Sequence, residues 1–105
     1  MNNSISTKEE LVQKLKSNAS TIKMYGAKSL GLFGSFQRNQ QNDASDVDLI
    51  VEFSAGCKTY DNFIHLVFFL EDLLGREVEL VTPESLSPYL RPHIEKSVEY
   101  VSFAA

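Results

Sequence analysis

Several things are scarce in this chain, and each scarcity excludes something. It has one cysteine, Cys57, in 105 residues, so no internal disulfide can form, which fits a reducing compartment such as the cytoplasm. No apolar run approaches the length of a membrane span, and the opening MNNSISTKEE has neither a basic n-region nor an apolar h-region, so neither insertion nor secretion is indicated. Basic charge is also short. Ten Lys and Arg against fourteen Asp and Glu leave a net charge of −4, and the basic residues are scattered. A phosphate-backbone binder is therefore disfavoured as the main role. Repeats, low-complexity segments and internal linkers are missing. Cys57, His65 and His93 have no metal-ligand spacing and set up no Cys-His or Ser-His-Asp pairing, so they read as structural or surface residues.

What is present is ordinary for a globular protein: 43% hydrophobic and 23% charged residues. That argues against disorder, and the length suits one domain, 1–105, with a core of its own. Thr7-Lys8-Glu9-Glu10 forms a capping box, with Thr7 as N-cap and Glu10 at N3. Leu11, Leu15, Asn18 and Ile22 follow at helical spacing, with Gly26 as the stop. KSLGLF (28–33) reads as a buried strand and GSFQR as one helical turn, followed by a polar loop. DVDLIVEF (46–53) is a strand with Val47, Leu49 and Val51 on one face and Asp46, Asp48 and Ile50 on the other. An apolar helix over 59–74 ends at Gly75. REVELVT (76–82) is a third strand, with Val78 and Leu80 opposite Glu77, Glu79 and Val81. Pro83 opens a mostly helical stretch in which Pro88 and Pro92 start or interrupt turns. VEYVSF then finishes in helix or strand. The order predicts a two-layer α/β or α+β domain: a small mixed sheet covered by helices.

The chemistry concentrates in LGLFGSFQRNQQNDASDVDLIVEF (30–53). Asp46 and Asp48 sit at i and i+2 of an extended segment and so point the same way. Their charges repel unless something positive lies between them. Upstream, the apolar strand leaves through Gly34, which permits a tight turn and a close approach by a ligand. Ser35 offers a hydroxyl and an N–H at a helix start, a place suited to phosphate. Ten residues separate Ser35 from Asp46, giving G-S-x10-D-x-D. A phosphate cradle facing paired carboxylates is what a metal–nucleotide site needs, because Mg²⁺ takes hard oxygen ligands, typically one or two carboxylates plus substrate phosphates. Ser35 reads equally as a helix cap, Arg38 as a surface residue, and Asp43 as polar loop filler or as a carboxylate able to approach the metals.

Gly34-Ser35, the gap and Asp46-Val47-Asp48 resemble the signature of the nucleotidyltransferase superfamily that includes DNA polymerase beta. GSFQR is similar to the G-S-x-A-R segment of its minimal nucleotidyltransferases (MNT). GREVELVTPESLSPYLRPHI is similar to their run of glycine, third strand, VTP and closing helix. The likeness covers roughly residues 26 to 102. It implies a nucleotidyltransferase fold, ATP as substrate and two Mg²⁺ ions. It further implies Asp46, Asp48 and Glu79 as catalytic metal ligands, and Gly34, Ser35 and Arg38 as nucleotide-binding residues. Glu79 stands where the family usually has Asp, with Glu77 as the competing ligand on its face. Asn39 stands where a glycine is common, and asparagine tolerates left-handed backbone.

The resemblance also implies a partner. Antibiotic- and tRNA-modifying members carry an added domain for the acceptor, so here another macromolecule would present it. Stand-alone minimal members are typically antitoxins of HEPN/MNT pairs that transfer AMP to a tyrosine of a HEPN ribonuclease toxin. The alternative is an antitoxin with a weak or inactive site that neutralises its partner by contact alone. Independently of the likeness, the apolar residues of the 59–74 helix cover roughly 260° of its wheel at 100° per residue, where one sheet needs only about 100°. The surplus is covered either by the first and last helices or by a partner chain at Ile64 with Phe68 or Phe69.

Overall fold

The computed structural model describes residues 4–101. In chain order the elements are α1 (Lys8–Ser17), α2 (Ala19–Met24), β1 (Ala27–Phe33), α3 (Gly34–Gln37), β2 (Val47–Phe53), α4 (Tyr60–Leu74), β3 (Val78–Val81), a 3-10 turn (Pro83–Ser85), α5 (Leu90–Ser97) and β4 (Glu99–Val101). The four strands form one mixed sheet in the order β3-β2-β1-β4. β1 pairs antiparallel with β2 and with β4, while β2 and β3 run parallel. A parallel pair needs a crossover between its strands, and α4 supplies it.

The expected elements are present, with three differences. The first helix is broken: Asn18 turns out of helical geometry at φ −116°. Its side-chain amide donates to the Lys14 carbonyl at 2.9 Å and its N–H to that of Leu15 at 3.2 Å. A short side-chain amide competes in this way with helix continuation, and the bend still buries Leu11, Leu15 and Ile22. The third strand is shorter than expected, Val78–Val81. The closing stretch resolves into the 3-10 turn opened by Pro83, then α5, then an edge strand. Pro92 stands in the first turn of α5, where a missing N–H leaves no helical bond unmade. Of the final VEYVSF, Ser102 and Phe103 lie outside the described residues.

Alternation fixes the two sheet faces. Leu30, Leu32, Val47, Leu49, Val51, Val78 and Leu80 point toward the helices and join Leu11, Leu15, Ile22, Leu66, Leu70 and Leu74 in one core. Ile50, on the opposite face, is 2% exposed yet stands outside that core. α4 begins at Thr59, whose side chain accepts from the Asn62 N–H. It ends at Gly75, left-handed at φ 67°, whose N–H bonds to the Glu71 carbonyl. Among the described residues no helix is long and apolar enough to cross a membrane.

The surplus on α4 divides between two neighbours. Phe69 packs on the core with its ring 5.8 Å from that of Tyr25, so the segment after α2 covers it. Phe68 remains 59% exposed. Phe69 is therefore a packing residue, and Phe68 with the half-buried Ile64 keeps the edge that a partner would have to cover.

Candidate active site

The carboxylate cluster is assembled by strand register. In the parallel pairing of β2 with β3, Asp48 stands opposite Glu79; in the antiparallel pairing of β1 with β2 it stands opposite Phe33. Residues directly opposite share a face and lie about 5 Å apart. Asp48 is thus flanked by Glu79 across the strand and by Asp46 along it. The entry of β2 is anchored by the Val47 N–H donating to the Glu77 carbonyl at 2.9 Å. Glu77 belongs to the same face but lies two residues before Asp48's partner, so Glu79 and not Glu77 stands opposite Asp48.

Burial is the largest cause that pushes the Asp48 carboxyl up from 3.8 to about 7. A hydrogen bond with Glu79, the Glu79 charge and the Asp46 charge add to it, and Arg38 opposes. More negative charge is gathered here than Arg38 can balance, so the site favours a proton or a cation. Because the folded-state value is raised, the stabilisation from this group is complete below about pH 4 and is lost as pH rises toward and through 7. Discounted for a half-buried group, the change amounts to about 1–2 kcal/mol. Metal-free protein in a chelator should therefore show a lower urea midpoint at pH 8 than at pH 5, and Asp48→Asn should flatten that difference.

Gly34 closes the site from the β1 side. Its φ is +76°, and a Cβ placed on it would strike Asp48 Oδ2 and lie 2.8 Å from Asp48 Cγ. The turn therefore sits directly against the carboxylate, as only glycine permits. α3 starts at this residue, and N–H groups of a first helical turn have no partner within the helix. Ser35 follows, its carbonyl accepting from the Gln40 N–H at 2.8 Å. Arg38 is exposed, with Nε donating to Gln40 Oε1 at 3.0 Å. Asn39 adopts the left-handed conformation, φ 57°, which its side chain tolerates where glycine would otherwise serve.

All six residues expected from the sequence thus come to one end of the sheet. Asp43 instead lines a separate cavity of about 480 Å³ with Asp46, Arg76, Glu77 and the Ser4–Ser6 segment. That cavity adjoins the carboxylates through Asp46 without containing Asp48 or Glu79. The Cys57 main-chain carbonyl accepts a hydrogen bond from the Asn62 side-chain amide, and His65 is an exposed residue beside Tyr25.

Arg76 was not legible as part of the site. Its guanidinium donates to the carbonyls of Ile5 (2.8 Å), Asn42 (2.9 Å) and Ser45 (2.8 Å), and it lies 4.9 Å from the centre of the buried Phe36 ring. One cation thereby ties the N-terminal segment, the loop before Asp46 and α3 together, using the planar fork that lysine lacks. Nothing local in REVELV marks that task, because its hydrogen-bond acceptors are main-chain carbonyls distant in sequence.

Among the described residues no three acidic, histidine or cysteine side chains form a ready-made metal cage. The donors nevertheless suit Mg²⁺, which keeps waters and combines one or two carboxylates with substrate phosphates. The excess negative charge around Asp48 points the same way.

The sequence profile described as "Nucleotidyltransferase domain" matches residues 8–101. This chain belongs to that family. Two curated relatives extend the likeness over almost the full length. A Methanocaldococcus jannaschii protein provisionally named a protein adenylyltransferase (MJ1379) is 35% identical, with 90% of this chain and 98% of the relative covered. Protein adenylyltransferase MntA of Thermococcus cleftensis is 33% identical, with 90% and 96% covered. A solved structure described provisionally as a minimal nucleotidyltransferase superposes with a TM-score of 0.78 at 31% identity, covering 90% of this chain and 95% of that one. The fold is shared also with a chain of a toxin–antitoxin complex crystallised with AMP-PNP, at TM-score 0.66 and 21% identity, covering 94% and 75%. The chain is a minimal nucleotidyltransferase.

Proposed function

We propose that this nucleotidyltransferase moves AMP from ATP onto a tyrosine hydroxyl of a helical partner, a HEPN-type ribonuclease toxin, and so acts as its antitoxin. The observation that carries the reading is the pairing of Asp48 with Glu79 beside the Gly34–Ser35 turn, which joins a carboxylate site to a phosphate cradle. The names of the relatives support protein as acceptor, and the toxin–antitoxin complex of the same fold supports a toxin as partner. In the reaction the acceptor oxygen forms a bond to the α-phosphorus, the bond to the β-phosphate oxygen breaks, pyrophosphate leaves, and the hydroxyl proton is lost to a carboxylate or to water.

The roles follow from position. Asp46 and Asp48 hold Mg²⁺, two ions in the full site, and Glu79 completes the set. Bound there, Mg²⁺ supplies charge neutralisation for the α-phosphate and pyrophosphate and favours the deprotonated acceptor. Gly34 and Ser35 hold the triphosphate, and Arg38 contacts a phosphate oxygen. Asp48, whose carboxyl burial and its acidic neighbours push up, gives up its proton as the site fills. With α-labelled ATP and co-expressed partner, the label should appear on the partner; neutralisation without label would instead identify an antitoxin acting by contact alone. The exposed, longer Glu79 side chain at a position where aspartate is usual favours that second reading.

Two series of variants test the assignment. Glu79→Asp should retain or raise label transfer, Glu79→Ala should remove it, and Glu77→Ala should change it little. Equal losses at 77 and 79 would mean that the whole acidic face acts and the register argument fails. On α4, Phe68→Lys should leave the monomer folded while weakening complex formation in a pull-down titration. Phe69→Lys should unfold it, since burying a lysine against Tyr25 and the core costs about 3 kcal/mol or more. A Phe68→Lys chain that still binds its partner as the parent does would remove Phe68 from the interface.

A further inference from the structure

The face carrying the carboxylates has an apolar half with no assigned role. The pairings place Gly31 opposite Ile50 on β2 and opposite Tyr100 on β4, and Ile50 shares the face of Asp48, two residues along β2. Gly31 has no side chain because that space is taken. A Cβ there would lie 2.6 Å from Val98 Cγ2, 3.0 Å from Ile50 Cγ2 and 3.1 Å from Tyr100 Cδ1. The Tyr100 ring thus leans inward over β1 above a buried Ile50, yet the residue is 56% exposed. Phe33, half-buried, stands on the same face between this patch and Asp48.

Building on the reading above, we propose that Tyr100, bedded on Gly31, Ile50 and Val98, is the stacking platform for the nucleobase of the bound nucleotide. The side of the sheet decides the occupant. The phosphate cradle is the turn that leaves β1, so the nucleotide occupies the β1–β4 side of Asp48, and the acceptor is left the β3 side near Glu79. Tyr100 lies two strands across and two residues along from Asp48, on the order of 12 Å between backbone positions, with the ribose spanning the gap over Phe33. An exposed aromatic face at that place meets a base, whose stacking on tyrosine tolerates any base identity.

The test compares ATP with inorganic tripolyphosphate, which has the phosphates and no base, by titration calorimetry with Mg²⁺. Parent and Tyr100→Phe should bind ATP alike. Tyr100→Ala should weaken ATP about tenfold or more and leave tripolyphosphate unchanged. Loss of both ligands together, or ATP binding unaffected by Tyr100→Ala, would overturn the platform. Asp46→Asn with Asp48→Asn separates the two levels. If that variant binds ATP like the parent, or the parent binds no ATP, the nucleotide site itself fails and the platform with it. If ATP binding needs the aspartates but ignores Tyr100→Ala, only the platform fails.

Discussion

Replacing Asp46 and Asp48 together by asparagine is expected to abolish Mg²⁺-dependent ATP binding and to lower AMP transfer by about a thousandfold or more, while the domain stays folded. The functional loss follows because a divalent cation is worth several kcal/mol of charge stabilisation in phosphoryl-type transfer, and these two residues are its principal proposed ligands. Retention of the fold follows from burial: Asp46 is exposed, Asp48 is half-buried, and neither belongs to the core. Asparagine keeps the shape and removes the charge whose burial, with the nearby Glu79 and Asp46, raises the Asp48 carboxyl. The metal-free variant should therefore be at least as stable as the parent at pH 8. Calorimetric titration with Mg·ATP, label transfer and urea unfolding measure the three consequences. A double variant that binds Mg·ATP as the parent does would sink the site.

Much of this arrangement could be read in the sequence because it is local. The period of two in DVDLIVEF separates Val47, Leu49 and Val51 from Asp46, Asp48 and Ile50, and the structure buries the first set against the helices. Thr7 with Glu10, and Gly75 at the end of α4, mark helix ends through chemistry confined to one turn. What the sequence withheld depends on partners far along the chain. The facing of Asp48 by Glu79 needs the parallel register of β2 and β3, which no local spacing states. Phe68 and Phe69 are equally apolar neighbours on one arc, and Tyr25, forty-odd residues away, buries one and leaves the other. Asn18 fits a helical spacing and breaks the helix nonetheless, because its side-chain amide takes the Lys14 carbonyl. Arg76 gives no local signal at all, since its task is set by three carbonyls folded around it.

Gly34→Ala carries the second large effect, and it should act on binding and stability together. Left-handed backbone costs an L-residue roughly 1–2 kcal/mol, and φ at this position is +76°. The added methyl would also strike Asp48 Oδ2 and sit 2.8 Å from Asp48 Cγ and 3.0 Å from Asp48 Cβ. Relief requires either the turn to open or the Asp48 side chain to rotate away from Glu79. An opened turn would lose the proposed phosphate cradle, and a rotated Asp48 would lose its proposed place as a metal ligand, so ATP affinity should fall about a hundredfold or more by either route, at ~1.4 kcal/mol per tenfold. The two routes are distinguishable. If Asp48 rotates, tripolyphosphate binding without Mg²⁺ should survive and the pH dependence of metal-free stability should flatten, because the Asp48 carboxyl leaves its buried place beside Glu79. If the turn opens, tripolyphosphate binding should be lost while that pH dependence remains. A Gly34→Ala chain with parental ATP affinity and stability would show that the close approach of turn and carboxylate has no part in holding the nucleotide.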